Sequence, residues 1–296
     1  MRLAPVLGHA LLLTGCVIGA NKYPRARDLA QVWEVDGVRL LAVRAEPPEA
    51  VPGQLVTFEA LLADPDGEGL SSVWIACPPD EAGGFGCAVD LSAIDPETFD
   101  PEQAEELGII GFEPGFPPSY TPEPELLDGL DETARQEGVY VTVQVAAFPA
   151  SAIENPDAFN YNEVEVGYKR LVVSEAATPN HNPEIANFLV DGVPVPPGAT
   201  AHVDSKQLYQ LGVQLTAESI EEYEFLTSDG DIEMRVEEPY VSWYCAGGTL
   251  AEAFTLYPYT EADWTSPEEP GETTCWAVVR DRRGGMNWAV QALTIH

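Results

Sequence analysis

Apolar and polar residues alternate with a period of two over several stretches of this chain. Every second residue of Val139–Val145 is a valine, and the even-numbered residues of Leu55–Leu62 are apolar. This spacing is typical of β-strands with one buried face. Turn signals rich in Pro and Gly separate the stretches. We therefore predict an all-β fold of antiparallel strands.

The two halves of the chain repeat one pattern. Val73–Cys77 and Val241–Cys245 are strand candidates with a central Trp and a terminal Cys. A segment with two X-Pro pairs, 176–183, separates the halves and is typical of a linker. The sequence thus predicts two tandem β-sandwich domains, 37–175 and 184–296.

The alternation stops between residues 92 and 137, which we interpret as an insertion in the first domain. It contains two short helix candidates, Asp100–Gly108 and Leu126–Gln136. An insertion of this length is a candidate recognition surface. Three of its aromatic residues either contact a partner or cover the open end of the sandwich: Phe112, Phe116 and Tyr120.

Two C-terminal strands are predicted at Thr273–Arg280 and Asn287–Ile295. In the last strand, Trp288, Val290 and Ala292 share one face, which we expect to close the domain. Trp243 and Trp276 are expected in the core beside a disulfide.

The stretch from about Pro48 to Trp74 resembles bacterial immunoglobulin-like domains of the PKD or cadherin-like kind. The resemblance is carried by Pro52-Gly53, Val56-Thr57, Ala60 and the turn Asp64–Gly67. The last hairpin resembles the final strands of PKD-like domains. The resemblance implies two immunoglobulin-like sandwiches and implies no particular ligand.

The N-terminus resembles the signal of bacterial lipoproteins. Arg2 precedes the short apolar run Val6–Leu13, and Leu13–Cys16 matches a lipobox. The resemblance implies a signal peptide at 1–15, an acylated Cys16 and a lipidated tether at 16–36. Val17 is not the Asp that marks inner-membrane retention, which favours the outer membrane, facing the periplasm or the cell surface. An ordinary secretory signal with an incidental Cys is the alternative.

Five cysteines are present. Assigning Cys16 to lipid leaves four, which can pair in an oxidising compartment in three ways. We favour Cys77–Cys87 and Cys245–Cys275, since each pair falls within one predicted domain.

The formal net charge is −35, from 49 acidic and 14 basic residues. Such a field disfavours nucleic acid and anionic lipid surfaces, so membrane contact is expected through the lipid alone. It suits a cation or a basic partner, or it serves solubility.

Calcium is a candidate ligand of the acidic turn Asp64, Asp66 and Glu68. An EF-hand fails there because Ile75 occupies the twelfth position. A second acidic cluster comprises Asp229, Asp231 and Glu233. The first sequence is also a good turn in its own right, and we expect no other cofactor.

No catalytic motif is present: the chain lacks H-E-x-x-H, G-x-S-x-G, a phosphate-binding loop and C-x-x-C. We therefore expect a non-enzymatic, membrane-anchored interaction or scaffold lipoprotein that binds an unidentified protein or glycan. A structural subunit of a periplasmic complex is the first alternative, and an extracytoplasmic enzyme such as a carbohydrate-active one is the second.

Overall fold

The computed structural model describes residues 31–65, 67, 69–77, 87, 108–154, 163–227 and 230–296. Residues Val32–His296 form one compact unit. The all-β prediction is confirmed, with two immunoglobulin-like sandwiches following one another along the chain. Of the helices in these ranges, none is both long and apolar enough to cross a membrane.

The first sandwich contains eight strands among the described residues. They are β1 (Arg39–Glu46), β2 (Glu49–Ala50), β3 (Val56–Ala63), β4 (Leu70–Cys77), β5 (Ile109–Glu113), β6 (Ser119–Tyr120), β7 (Val139–Pro149) and β8 (Glu165–Val173). One sheet has the order β1-β3-β6 and the other β2-β8-β7-β4-β5. Two short helices, α1 (Glu132–Glu137) and α2 (Ser151–Glu154), flank β7.

The core of the first sandwich follows the predicted alternation. Val141, Val143 and Val145 on β7 are fully buried against Trp74 and Val56. The Trp74 indole donates a hydrogen bond to Ser72 Oγ at 2.9 Å, which satisfies its buried N–H.

The described part of the predicted insertion, residues 108–137, is only partly helical and contributes β5 and β6 to the two sheets. Turns occupy Pro124–Gly129, and α1 forms just the end of the predicted second helix. Asp131 begins α1, because its side chain accepts a hydrogen bond from the Ala134 amide. The first helix candidate, Asp100–Gly108, lies outside the described residues except for Gly108.

The second sandwich consists of two five-stranded sheets and a separate hairpin. Its strands are β9 (Ile185–Val190), β10 (Val193–Val195), β11 (Ala201–Val203), β12 (Leu208–Leu215), β13 (Glu222–Leu226), β14 (Ile232–Val236), β15 (Tyr240–Cys245), β16 (Thr249–Leu250), β17 (Phe254–Leu256), β18 (Ala262–Thr265), β19 (Gly271–Arg280) and β20 (Met286–Ile295). The sheets have the orders β10-β9-β12-β18-β16 and β11-β20-β19-β15-β17, and β13 pairs only with β14.

On β20, the face that points into the second sandwich is the one opposite to Trp288, Val290 and Ala292. Leu293 and Ile295 on β20 face the core of the second sandwich, whereas Val290 is half exposed. Trp276 on β19 is buried, but it packs against the first sandwich and not beside the disulfide. Trp276 is thus a core residue, as predicted, but in the cluster between the two sandwiches. Both faces of this sheet carry apolar residues, so alternation alone does not identify the inner one. Trp243 does lie in the core, as predicted.

A hydrophobic joint connects the two sandwiches. Trp276 and Val278 on β19 pack against Leu41, Ala42 and Leu61 of the first sandwich. The register of β1 shifts between Leu40 and Ala42. Such a bulge places two successive residues on one side of a strand, so Leu41 and Ala42 both face the joint.

The segment before β1 belongs to the second sandwich. Trp33 packs in its core beside Trp243, and Val35 packs in the joint. The Cys245 amide donates a hydrogen bond to the Trp33 carbonyl, and the Val35 amide donates one to the Cys245 carbonyl. The last residues of the predicted tether therefore extend the sheet along the edge of β15.

Candidate functional site

Both predicted cysteine pairs lie at disulfide-bonding distance. Cys245 and Cys275 are fully buried, directly opposite each other on β15 and β19, with their Cα atoms 4.1 Å apart. The Cα atoms of Cys77 and Cys87 are 5.7 Å apart. The proposed lipidation site, Cys16, lies outside the described residues.

In the acidic turn, the Asp64 carboxylate accepts hydrogen bonds from backbone amides. Asp64 Oδ1 accepts a hydrogen bond from the Gly67 amide, and Asp64 Oδ2 accepts one from the Gly69 amide, both at 3.0 Å. These bonds stabilise the turn by themselves. Asp66, Glu68 and Asp229 lie outside the described residues. Where side chains are described, no group of three or more His, Cys, Asp or Glu is arranged to hold a metal ion.

The three aromatic residues that the sequence singles out in the insertion differ in their burial and contacts. Tyr120 packs against the core of the first sandwich, and burial raises the pKa of its hydroxyl. Phe112 and Phe116 exchange backbone hydrogen bonds at 2.8 and 2.7 Å, and only Phe116 is exposed. Tyr120 thus has the structural role that the sequence left open as the alternative.

Charged residues lie buried at the joint, on the side nearest the predicted linker. Arg283 donates hydrogen bonds of 3.0 Å to both Glu221 and Glu237, and its guanidinium lies 4.4 Å from the ring centre of Tyr223. Burial, followed by the nearby carboxylate of Asp281, raises the pKa of Glu237 to about 7. Arg283 therefore supplies the counter-charge for a carboxylate that the fold removes from water.

A second buried group includes residues from the predicted linker. The Asn180 side chain donates to Asp281 Oδ2 at 2.8 Å, and the Asn180 amide donates to Glu49 Oε2 at 2.7 Å. Lys169, from the first sandwich, donates to the Gly284 carbonyl. Burial lowers the pKa of Lys169 to about 8. The linker is thus bound to both sandwiches, and the joint holds them as one body.

A shallow groove of about 410 Å³ opens on the outer face of β15 and β17. Tyr240, Tyr244, Phe254 and Leu256 line it, with Arg282 among the lining residues. Two of its polar side chains contact other residues of the chain: Ser242 accepts a hydrogen bond from Arg280, and Arg282 lies 3.6 Å from Glu238. The groove therefore offers mainly apolar and aromatic surface.

Exposed apolar residues continue from the groove along the edge of the sheet. Phe254 and Tyr259 are 62% and 78% exposed, and Leu256 and Tyr257 are also exposed. Large apolar patches on a protein surface are typical of binding sites. This patch was not predicted, because the spacing of Phe254 and Leu256 is also typical of residues on the buried face of a strand.

The hairpin β13–β14 is the second exposed surface. Its C-terminal end is connected to the groove, because Glu238, two residues after β14, lies 3.6 Å from the groove residue Arg282. All five residues of β14 are exposed, including three large apolar ones. They are Ile232, Met234 and Val236. Among the described strands, β13 and β14 pair only with each other, so no third strand extends this hairpin.

No protein-family model and no curated protein matches this chain. Among solved structures, it is similar to native E. coli alpha-2-macroglobulin (10% identity, TM-score 0.24), covering 87% of this chain but only 17% of that one. It is also similar to the Ig1-2 module of the Drosophila receptor tyrosine phosphatase DLAR (10%, TM-score 0.26, 88% and 99% covered). A third is the D0-D1 domain of Intimin (11%, TM-score 0.21, 86% and 98% covered). These similarities say nothing about function, and the fold assignment follows from the sheets described above.

Proposed function

We propose that this chain is a non-catalytic binding protein of the bacterial cell envelope, held at the outer membrane by acyl chains on Cys16. The observation that carries the binding function is the apolar groove on β15 and β17, which continues into exposed aromatic side chains. The joint packs the sandwich that carries this surface against the first sandwich, within one compact unit.

The chemistry of the groove favours a protein partner over a glycan. Sugar hydroxyls need hydrogen-bond partners when they lose water, and besides its two tyrosines the groove has few polar side chains, of which Ser242 and Arg282 each contact another residue of the chain. Apolar and aromatic surface, by contrast, is what the centre of a protein interface contains. The expected ligand is thus a protein segment with apolar side chains.

The lipid anchor is supported by the lipobox and by the buried disulfide, since stable disulfides form in oxidising compartments. Trp33 belongs to the second sandwich. An acylated Cys16 would therefore connect to that sandwich first, through the residues that separate it from Trp33.

The groove is tested in cells with a photo-crosslinking amino acid at Phe254, and with Val193 as the control position. Both residues are more than 60% exposed, but Val193 lies on the edge strand β10. We expect a discrete protein adduct from Phe254 and none from Val193. Equal crosslinking at the two positions would refute the groove as a binding site. A carbohydrate adduct at Phe254 would refute the protein partner and show that the ligand is a glycan.

The anchor is tested separately by detergent phase partitioning of the full chain and of Cys16→Ala. We expect the wild type in the detergent phase with an acylated N-terminal Cys by mass spectrometry, and the variant in the aqueous phase. A wild-type protein that remains in the aqueous phase excludes the lipid anchor.

A further inference from the structure

The register of the hairpin β13–β14 separates its residues into two faces. Residues directly opposite each other in an antiparallel pair point to the same side. Ile232 lies opposite Leu226, Met234 opposite Glu224, and Val236 opposite Glu222. The even-numbered face therefore has an apolar row along β14 and two glutamates along β13.

The odd-numbered face is already covered by the chain's own cations. The Arg235 guanidinium lies 3.4 Å from the ring centre of Phe225 and donates a 2.9 Å hydrogen bond to Glu233. Arg283 lies over Tyr223 on the same face. Basic groups thus contact the aromatic rings of this face, and only the even-numbered face lacks such cover.

The base of the hairpin is fixed at the joint. Glu221 and Glu237 flank the two strands, and both accept hydrogen bonds from Arg283. A two-stranded hairpin alone is marginally stable in water. Here the buried ionic contacts hold it at one place on the molecule, with its apolar row exposed.

We propose that the even-numbered face of β13–β14 is a docking surface for a basic, apolar segment of a protein partner. The partner's apolar side chains would cover Ile232, Met234 and Val236, and its Lys or Arg side chains would pair with Glu222 and Glu224. This inference rests on the proposed binding function but uses a surface separate from the groove.

Charge determines the choice of partner. Glu222 and Glu224 are exposed and form no ion pair within the described part of the chain. A second copy would place carboxylates against carboxylates, on a chain whose net charge is −35. Anionic lipids and nucleic acids are repelled in the same way. A basic polypeptide with apolar side chains would cover the exposed apolar row and would also pair with the two carboxylates.

The test measures binding of three synthetic peptides to the full chain by fluorescence anisotropy. In the first, Lys alternates with Val; in the second, Glu replaces Lys; in the third, Ser replaces Val. We expect the Lys-Val peptide to bind, and the other two to bind at least about tenfold more weakly, since both the charges and the apolar contacts are needed.

Two matched variants distinguish this site from general attraction to an acidic protein. Met234 and Val193 are 63% and 64% exposed, so Met234→Asp and Val193→Asp change similar side chains at separate places. General attraction predicts that either added charge leaves binding unchanged or strengthens it. The proposed site predicts about tenfold weaker binding of the Lys-Val peptide for Met234→Asp alone.

A charge reversal completes the test. Glu222→Lys combined with Glu224→Lys should lose the Lys-Val peptide and gain the Glu-Val peptide. Equal binding by Met234→Asp and Val193→Asp, or equal binding of the Lys-Val and Lys-Ser peptides, overturns the proposal. So does self-association of the chain that Met234→Asp abolishes. The variants in this assay leave Cys16 and Phe254 unchanged. A failure here is therefore separate from a failure of the groove or of the lipid anchor.

Discussion

Replacing Arg283 with Met should destabilise the protein strongly, and more at pH 8 than at pH 5. Arg283 is the counter-charge of Glu237, whose side chain is only 2% exposed, at an N–O distance of 3.0 Å. Met keeps an apolar stem against Tyr223, so the change removes mainly the charge and its hydrogen bonds.

The magnitude follows from the state of Glu237. Removing one partner of a buried ion pair costs about 3–5 kcal/mol, because the remaining charge is left uncompensated. The pKa of Glu237 is about 7, and the contacts with Arg283 hold it below the value that burial alone would give. At pH 5 the carboxyl is protonated, and the expected loss is only that of hydrogen bonds, about 1–3 kcal/mol. At pH 8 the variant must bury a charge or take up a proton, and we expect the full 3–5 kcal/mol.

Urea denaturation of the wild type and Arg283→Met at the two pH values measures this difference. Arg283→Met combined with Glu237→Gln is the control, because Gln cannot ionise. The double variant should recover part of the stability lost at pH 8, and its free energy of unfolding should change less between the two pH values than that of Arg283→Met, because the Gln introduced in place of Glu237 does not titrate. A loss below about 1 kcal/mol at pH 8, or equal losses for Arg283→Met at both pH values, would refute the reasoning, since surface ion pairs behave in that way.

Three further predictions concern the core and its titration. Trp33→Ala should cost about 3–5 kcal/mol in thermal unfolding, whereas Val32→Ala, which changes an exposed neighbour, should stay within about 0.5 kcal/mol; similar values for the two would contradict the placement of Trp33 in the core. Replacing Cys245 and Cys275 together with Ala should lower stability by about 2–5 kcal/mol under oxidising conditions, and reductant should then have less effect on the variant than on the wild type. The pKa of Glu237 is raised on folding, so its contribution to stability is present below about pH 4.5 and is lost as pH rises through about 7. Melting temperature should therefore fall over that range, less steeply in Glu237→Gln, and identical slopes would disprove the assignment.

The sequence by itself determined many of the strands and, for strands such as β7, which residues face the core. Val139–Val145 forms β7 with its valines buried, because a period of two places alternate residues on one side of any strand. The cysteine pairs were predicted from the domain boundaries, because each pair falls within one predicted sandwich, and both lie at bonding distance. The strand pattern depends on local spacing, and the cysteine pairs depend on the division of the chain into two domains, and both can be obtained from the sequence.

Only the tertiary structure decided which surface covers each face. The alternation of β19 and β20 shows that their two faces differ, but Trp276 is buried because the first sandwich covers it, through contacts with residues more than two hundred positions earlier. Trp33 joins the second sandwich for a similar reason. The exposed row Ile232, Met234 and Val236 has the spacing of a buried strand and was not predicted as a surface. The hydrophobic effect is non-directional. An apolar pattern therefore predicts that a strand face is buried, but it does not identify the part of the protein or the partner that buries it.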